Sequence, residues 1–324
     1  MIKVGLIGCG EHSENGHAVP LARYKAAHAE EIELVAACDL DLARANAFCT
    51  RYGFRRAYST ADAMLADEKF DVCIAVVPVE RISALGIQLL EMGIPCVVEK
   101  PLGASLSEVE ALLAVSKSSG TPNMVSVNRR FMPFLNRAIE WSRRAGELRY
   151  VRGTMTRHAR NEPEFLWTTA VHTVDALRHI AGEVAEASIR AMPQNGSSAC
   201  WYAIDLRFVR GALGRIDVLP TTGALEETYE LFGEGYRAAV TCPFGAHRGW
   251  QAFQESKLVI SESATEDMAE DMLNGCYDEV ASLIRALASG KLPRPSIETV
   301  FPSIELCWAM ARTVDETRAS KCSH

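Results

Sequence analysis

The residues with the clearest capacity for chemistry lie at 96–103, Cys-Val-Val-Glu-Lys-Pro-Leu-Gly. An apolar run delivers Glu99 and Lys100 to a point where Pro101 stops the strand. Proline fixes its own φ, has no N–H to donate and restricts the residue before it. A lysine held there can set its charge beside a developing oxyanion. A second set is the turn Gly8-Cys9-Gly10, with Ser13 three residues on. Gly8 permits a tight turn and Gly10 lets backbone approach a pyrophosphate, while the small Ser13 stands where the dinucleotide fingerprint has its third glycine. Asp39 follows, placed to accept ribose hydroxyls and repel a 2′-phosphate, which favours NAD over NADP. Arg44 is the nearby group that would accommodate a phosphate. A third set is His172-Thr173-Val174-Asp175, whose His172 and Asp175 are three apart and share a helix face. His179 falls on a similar face. His12 and His17 flank the glycine turn and are read as loop or packing histidines. No carboxylate or cysteine stands at metal-site spacing from them, so no metal is expected.

The elements that position these groups alternate. Apolar runs at 2–7, 33–38, 71–77, 95–98 and 123–127 are near-continuous, as in parallel strands covered on both faces. Helix-like stretches at 18–30, 42–52, 60–66, 80–92 and 107–119 separate them. Asp41 is a candidate N-cap, Gly53, Gly93 and Gly120 are stops, and Ser107 with Glu110 has the spacing of a capping box. The first part therefore reads as a doubly wound α/β domain with a parallel sheet. In such sheets ligands bind beyond the carboxyl ends of the strands, where Gly8, Gly10, Asp39, Pro78, Glu99 and Lys100 all fall.

From 128 onward the pattern changes. A helix at 134–145 is followed by strand-like runs at 148–156, 187–191, 199–209, 212–218, 227–233, 237–241 and 257–261, and then by helices at 271–289 and 296–317. The alternation in Tyr202-Ala203-Ile204-Asp205-Leu206 fits an antiparallel sheet with one buried face. The division is drawn between residues 122 and 123, with 1–122 binding the dinucleotide and 123–324 binding substrate and making subunit contacts. A large exposed sheet face would favour a homodimer or homotetramer.

Composition bounds the partners. The 324 residues are 48% hydrophobic and 23% charged with a formal net charge of −7, an ordinary globular balance. An acidic chain without a basic block argues against a nucleic-acid grip or an anionic membrane partner. The ten cysteines form no Cys-x-x-Cys pair, which suits a reducing cytoplasm rather than a disulfide framework. No signal-peptide pattern or long apolar span is expected to direct the chain elsewhere.

Together, Val4-Gly5-Leu6-Ile7-Gly8-Cys9-Gly10, His17-Ala18-Val19-Pro20-Leu21, Asp39, Glu99-Lys100-Pro101-Leu102, Asn128-Arg129-Arg130-Phe131-Met132-Pro133 and His172-Thr173-Val174-Asp175 resemble one family. It is the glucose–fructose oxidoreductase and inositol dehydrogenase (Gfo/Idh/MocA) family of NAD(P)-dependent oxidoreductases. The resemblance implies an N-terminal Rossmann domain and a C-terminal open-faced α+β domain. It also implies hydride transfer between a nicotinamide and a secondary hydroxyl or carbonyl of a sugar, polyol or related small molecule. Lys100 and His172 would be catalytic. Gly8, Gly10, Ser13, Asp39, Pro78 and Glu99 would hold the cofactor, and Lys100, Arg129, Thr168, His172 and Asp175 the substrate. His158, Arg160 and Trp167 are further rim candidates. One departure stands out: the family commonly has an aspartate four residues before the active-site histidine, and that position is Thr168. The departure keeps an alternative open, a non-catalytic dinucleotide-binding sensor or regulator of the same fold. A reductase of a non-sugar ring is a third reading.

Overall fold

The structure, a computed structural model, describes residues 1–194 and 198–322, with side chains through Thr317. The chain packs as two units, each taken by itself. The first comprises Met1–Val127 and Cys276–Pro302, and the second Asn128–Gly275 and the chain from Ser303 on.

In the first unit, strands β1 (Ile2–Ile7), β2 (Ile32–Cys38), β3 (Arg56–Tyr58), β4 (Val72–Ala75), β5 (Cys96–Glu99) and β6 (Asn123–Ser126) form one sheet in the order β3-β2-β1-β4-β5-β6. Every pairing in it is parallel. Val4, Leu6, Val35, Ile74, Val98 and Val125 are essentially without exposure, as two covered faces require. The doubly wound reading holds, and β3 is an added short edge strand. β6 pairs with β5, so the first unit runs past the division at 122/123. It also recruits the helix Cys276–Ala288, which the sequence had placed with the second half.

Local signals explain the helix boundaries. Asp41 caps the helix Leu42–Tyr52 by accepting from the N–H groups of Ala43 and Arg44, and Gly53 ends it at φ 81°. The capping box sits two residues earlier than Ser107–Glu110. Ser105 accepts from the N–H of Glu108, whose carboxylate takes the N–H of Ala104 at 2.8 Å. After the glycine turn the helix starts at once, as Glu11–Ser13, passes through a π-turn at Glu14–Ala18, and continues as Val19–Ala27. Helical periodicity in the sequence is visible only from 18, because a π-turn holds one residue more than an α-turn and breaks the 3.6 period.

In the second unit, β7 (Tyr150–Thr156), β8 (Val184–Pro193), β9 (Cys200–Phe208), β10 (Leu213–Leu219), β11 (Glu226–Gly233), β12 (Tyr236–Thr241), β13 (Gly249–Gln254) and β14 (Lys257–Ser263) form an eight-stranded sheet. Its order is β14-β13-β12-β11-β7-β10-β9-β8, antiparallel except for β7 with β10. One face buries Val151, Met155, Ile204, Leu206, Ile216, Val218, Tyr229, Leu231 and Val240, and the helices Pro133–Ala145 and Val171–Ala181 pack on this sheet. The other face carries an unbroken ionic ladder, Arg190–Asp205–Arg215–Asp217–Arg152–Glu230–Arg237, with N···O distances between 2.6 and 3.8 Å. It crosses six adjacent strands from β8 to β12. The open face is thus charged rather than apolar. No described helix is long and apolar enough to cross a membrane.

The helix Cys276–Ala288 is held to the end of β6 by Glu279, 3% exposed, whose carboxylate takes Ser126 Oγ at 3.0 Å and the Val127 N–H at 2.9 Å. Glu279→Ala leaves both donors buried without this acceptor. The expected loss is about 1–3 kcal/mol of stability, read as a lower urea midpoint, whereas Glu279→Gln should retain part of it.

Candidate functional site

The carboxyl edge of the first sheet gathers most of the residues singled out from the sequence. β1 ends in the glycine turn. Gly8 has φ 98°, and a Cβ there would lie 1.9 Å from the Val76 carbonyl oxygen, so glycine is required on both counts. A Cβ on Gly10 would meet nothing within 4 Å, which leaves the turn open to a ligand's approach. Ser13 is fully buried, and its hydroxyl has no hydrogen-bond partner among the described residues.

Asp39, just past β2, ties this turn down. Its Oδ2 accepts from the Cys9 N–H at 2.9 Å, and its Oδ1 accepts from the Asp41 N–H at 2.9 Å and from Arg44 at 3.4 Å. Burial, then Asp39, pushes the Cys9 thiol up to about 12, which keeps it a protonated packing group. Gly8, Asp39, Leu40, Pro78 and Leu85 line a cavity of about 670 Å³ at this edge. Its size and the donors and acceptors around it fit the adenosine half of a dinucleotide.

Three strands' width away along the same sheet, β5 ends at Glu99, which is 5% exposed. Its Oε1 takes His17 Nε2 at 2.7 Å and His12 Nε2 at 3.2 Å, while its Oε2 accepts from the Lys100 N–H at 3.2 Å. Burial alone would raise the carboxyl, but His12 and His17 outweigh it and hold Glu99 well below the ordinary carboxylate range. Glu99 therefore fixes the backbone from which Lys100 projects. The sequence positions of the two histidines suggest only loop or packing residues; the structure joins both to the carboxylate. His17 reaches it from within the π-turn, a register that helical periodicity does not disclose.

The second unit distributes its expected residues differently. His172 stands in the first turn of Val171–Ala181, 8% exposed. Thr168 is half-buried and its hydroxyl donates to the Glu164 carbonyl at 2.9 Å. Asp175 and Arg129, expected at the substrate, belong to the interior instead. Asp175 is wholly buried, and its carboxylate takes two bonds from Arg130, each 2.7 Å, and one from Ser303 at 2.7 Å. Ser303 in turn accepts from Arg178. Arg129 forks onto buried Glu227 at 3.0 and 2.7 Å. Arg157 shares that carboxylate, and both guanidiniums lie over the Phe244 ring. A buried carboxylate needs such partners, and these pairings hold both side chains in the interior. Of the other rim candidates, Arg160 pairs with Glu162, His158 lies 3.4 Å from the Gly223 carbonyl, and Trp167 stacks on Trp308 at 4.3 Å.

His179, seven residues after His172, is pushed down to about 4 by burial first and then by Arg130, with Asp175 opposing and Arg143 adding to the shift. It faces Asn136 at 3.4 Å. Its folded value lies below the ordinary 6.5, so the unfolded chain binds the extra proton between the two. Stability should therefore fall as pH drops from about 6.5 to about 4, by on the order of 3 kcal/mol from this group. His179→Gln should flatten that window of the stability–pH curve, measured by urea unfolding at pH 7 and pH 4.5.

Residues 2–128 match the family model GFO_IDH_MocA, described as an oxidoreductase family with an NAD-binding Rossmann fold. A D-apiose dehydrogenase of Rhizobium rhizogenes is 26% identical over 310 residues, covering 83% of this chain and 88% of that protein. Among solved structures, a Gfo/Idh/MocA family oxidoreductase from Vibrio cholerae superposes with a TM-score of 0.83 at 20% identity, covering 98% of this chain and all of the other. An oxidoreductase from Agrobacterium radiobacter, solved with NAD+, L-tartaric acid and magnesium, superposes with a TM-score of 0.81 at 21% identity over 96% of each chain.

Proposed function

We propose that the chain is an NAD-preferring dehydrogenase of a sugar, polyol or related small molecule, a reading supported by the match of residues 2–128 to the GFO_IDH_MocA oxidoreductase model with its NAD-binding Rossmann fold. The observation that carries the reading is the first sheet's carboxyl edge. An open glycine turn, an acid at the second strand end and a cavity of about 670 Å³ with both in its wall lie on one side. The braced Glu99-Lys100 lies further along. The likeness to a D-apiose dehydrogenase over most of both chains supports a carbohydrate substrate.

In this reading Gly8, Gly10 and Ser13 admit the dinucleotide's pyrophosphate stretch, Pro78 lines its pocket, and Asp39 accepts from the adenosine ribose. A bound nicotinamide supplies the hydride acceptor. His172 takes the proton of the substrate hydroxyl as general base. The Lys100 ammonium stabilises the alkoxide that develops on that oxygen. Glu99 holds Lys100 in place through its backbone. Thr168 offers a hydroxyl to the substrate in place of the family's usual carboxylate.

We further assign the ladder-bearing face of the second sheet to contact with another copy of the chain, in a homodimer or homotetramer. Such a charged interface weakens with salt, so sedimentation in 50 mM and 1 M NaCl should show dissociation at the higher concentration. A monomer at both would refute it.

NADH and NADPH fluorescence titrations, then a panel of aldoses and polyols followed at the nicotinamide absorbance, test the redox reading. NADH should bind more tightly, and Asp39→Ala should shift the NADPH-to-NADH preference by about tenfold or more. Lys100→Ala should lower turnover by about 10²–10³-fold with NADH affinity little changed. Binding of neither nucleotide would refute the function, and unchanged turnover in the variant would remove Lys100 from the mechanism.

A further inference from the structure

The second unit holds a cavity of about 450 Å³ where the helices Pro133–Ala145 and Val171–Ala181 both end, remote along the latter helix from His172. We infer that this cavity is a second small-molecule site, built for a polyhydroxy carboxylate about the size of an aldonic acid. Its volume lies in the range of ligand pockets.

Three features of the wall select that chemistry. Arg143 and Arg210 line it, both exposed, and neither forms a salt bridge among the described residues. Most other exposed arginines among the described residues are paired with a carboxylate, so two without one at a single cavity leave positive charge for a ligand's carboxylate to meet; Glu147, also in the wall, pairs with Arg149 at 3.1 Å. Ser142 also lines it, 3% exposed, and its hydroxyl has no hydrogen-bond partner among the described residues. A buried hydroxyl left so is costly unless a ligand satisfies it. Lastly, Gly146 and Gly182, the residues that end the two helices, are in the wall. Helix C-termini leave carbonyl oxygens without intrahelical donors and carry partial negative charge.

These features exclude the simpler ligands. A bare anion such as phosphate would satisfy the arginines but face two negative helix ends. A neutral sugar would satisfy the carbonyls but leave the arginines vacant. A carboxylate with a chain of hydroxyls serves both, its carboxyl on Arg143 and Arg210 and its hydroxyls on the helix-end carbonyls and Ser142. His179, a neutral imidazole able to donate or accept, joins Tyr236 and Glu147 in the polar wall, while Leu148, Ile180 and Leu231 supply apolar surface.

Calorimetric titration of the full chain with gluconate, glucose and inorganic phosphate, without dinucleotide, tests the site. This makes the result independent of the redox reading. Gluconate should saturate one site. The double variant Arg143→Ala with Arg210→Ala, which removes only exposed side chains, should weaken it by about tenfold or more. Ser142→Val, which blocks the cavity from within, should do the same. Glucose and phosphate should bind far more weakly. Absence of gluconate binding would overturn the inference, as would phosphate binding as tightly as gluconate. So would gluconate binding that survives the arginine double variant but is lost on His172→Ala, since the ligand would then occupy the proposed redox site.

Discussion

The Glu99 carboxylate is the interaction on which the first unit's chemistry depends. It is buried, anionic and fully subscribed, with two imidazoles on one oxygen and the Lys100 N–H on the other. A charge removed from water in this way is tolerable only with such partners. The consequence is mechanical as well as electrostatic. The end of β5 is fastened to the helix that leaves β1, so the glycine turn and the lysine share a common brace rather than belonging to two independent loops.

The second unit solves the same problem twice in its interior. Glu227 and Asp175 are each sunk completely and each held by arginine, Glu227 by Arg129 and Arg157, Asp175 by Arg130 with Ser303. Both clusters pin the segment Asn128–Phe131, one arginine on either side. Adjacent arginines at 129 and 130 thus act as two opposed anchors.

Much of the fold was legible because its causes are local. Apolar runs of strand length, glycine stops and the Asp41 cap each act within a few residues, and the five parallel pairings follow from their alternation. The site was legible where backbone sterics demand a residue type, as at Gly8, or where a strand end places one, as at Asp39 and Lys100. What escaped had non-local causes. The partners of Arg129 and Asp175 lie 98 and 128 residues away along the chain in Glu227 and Ser303, and nothing in the neighbourhood of either residue announces them. The helix Cys276–Ala288 joined the first unit through Glu279, again a contact made across more than 150 residues. His17 was hidden for a different reason: one extra residue in a helical turn shifts the phase of everything before it.

That π-turn has a consequence for how such a site can change over time. Each residue of an α-helix advances the side-chain direction by about 100°, so removing one residue from Glu14–Ala18 would restore regular winding and swing His17 off the carboxylate. The helix Val19–Ala27 would keep its packing, and the glycine turn its shape. A single-codon deletion, invisible in the fold, would then leave Glu99 with one imidazole instead of two. The number of residues in this turn, more than their identity, is what keeps the brace closed.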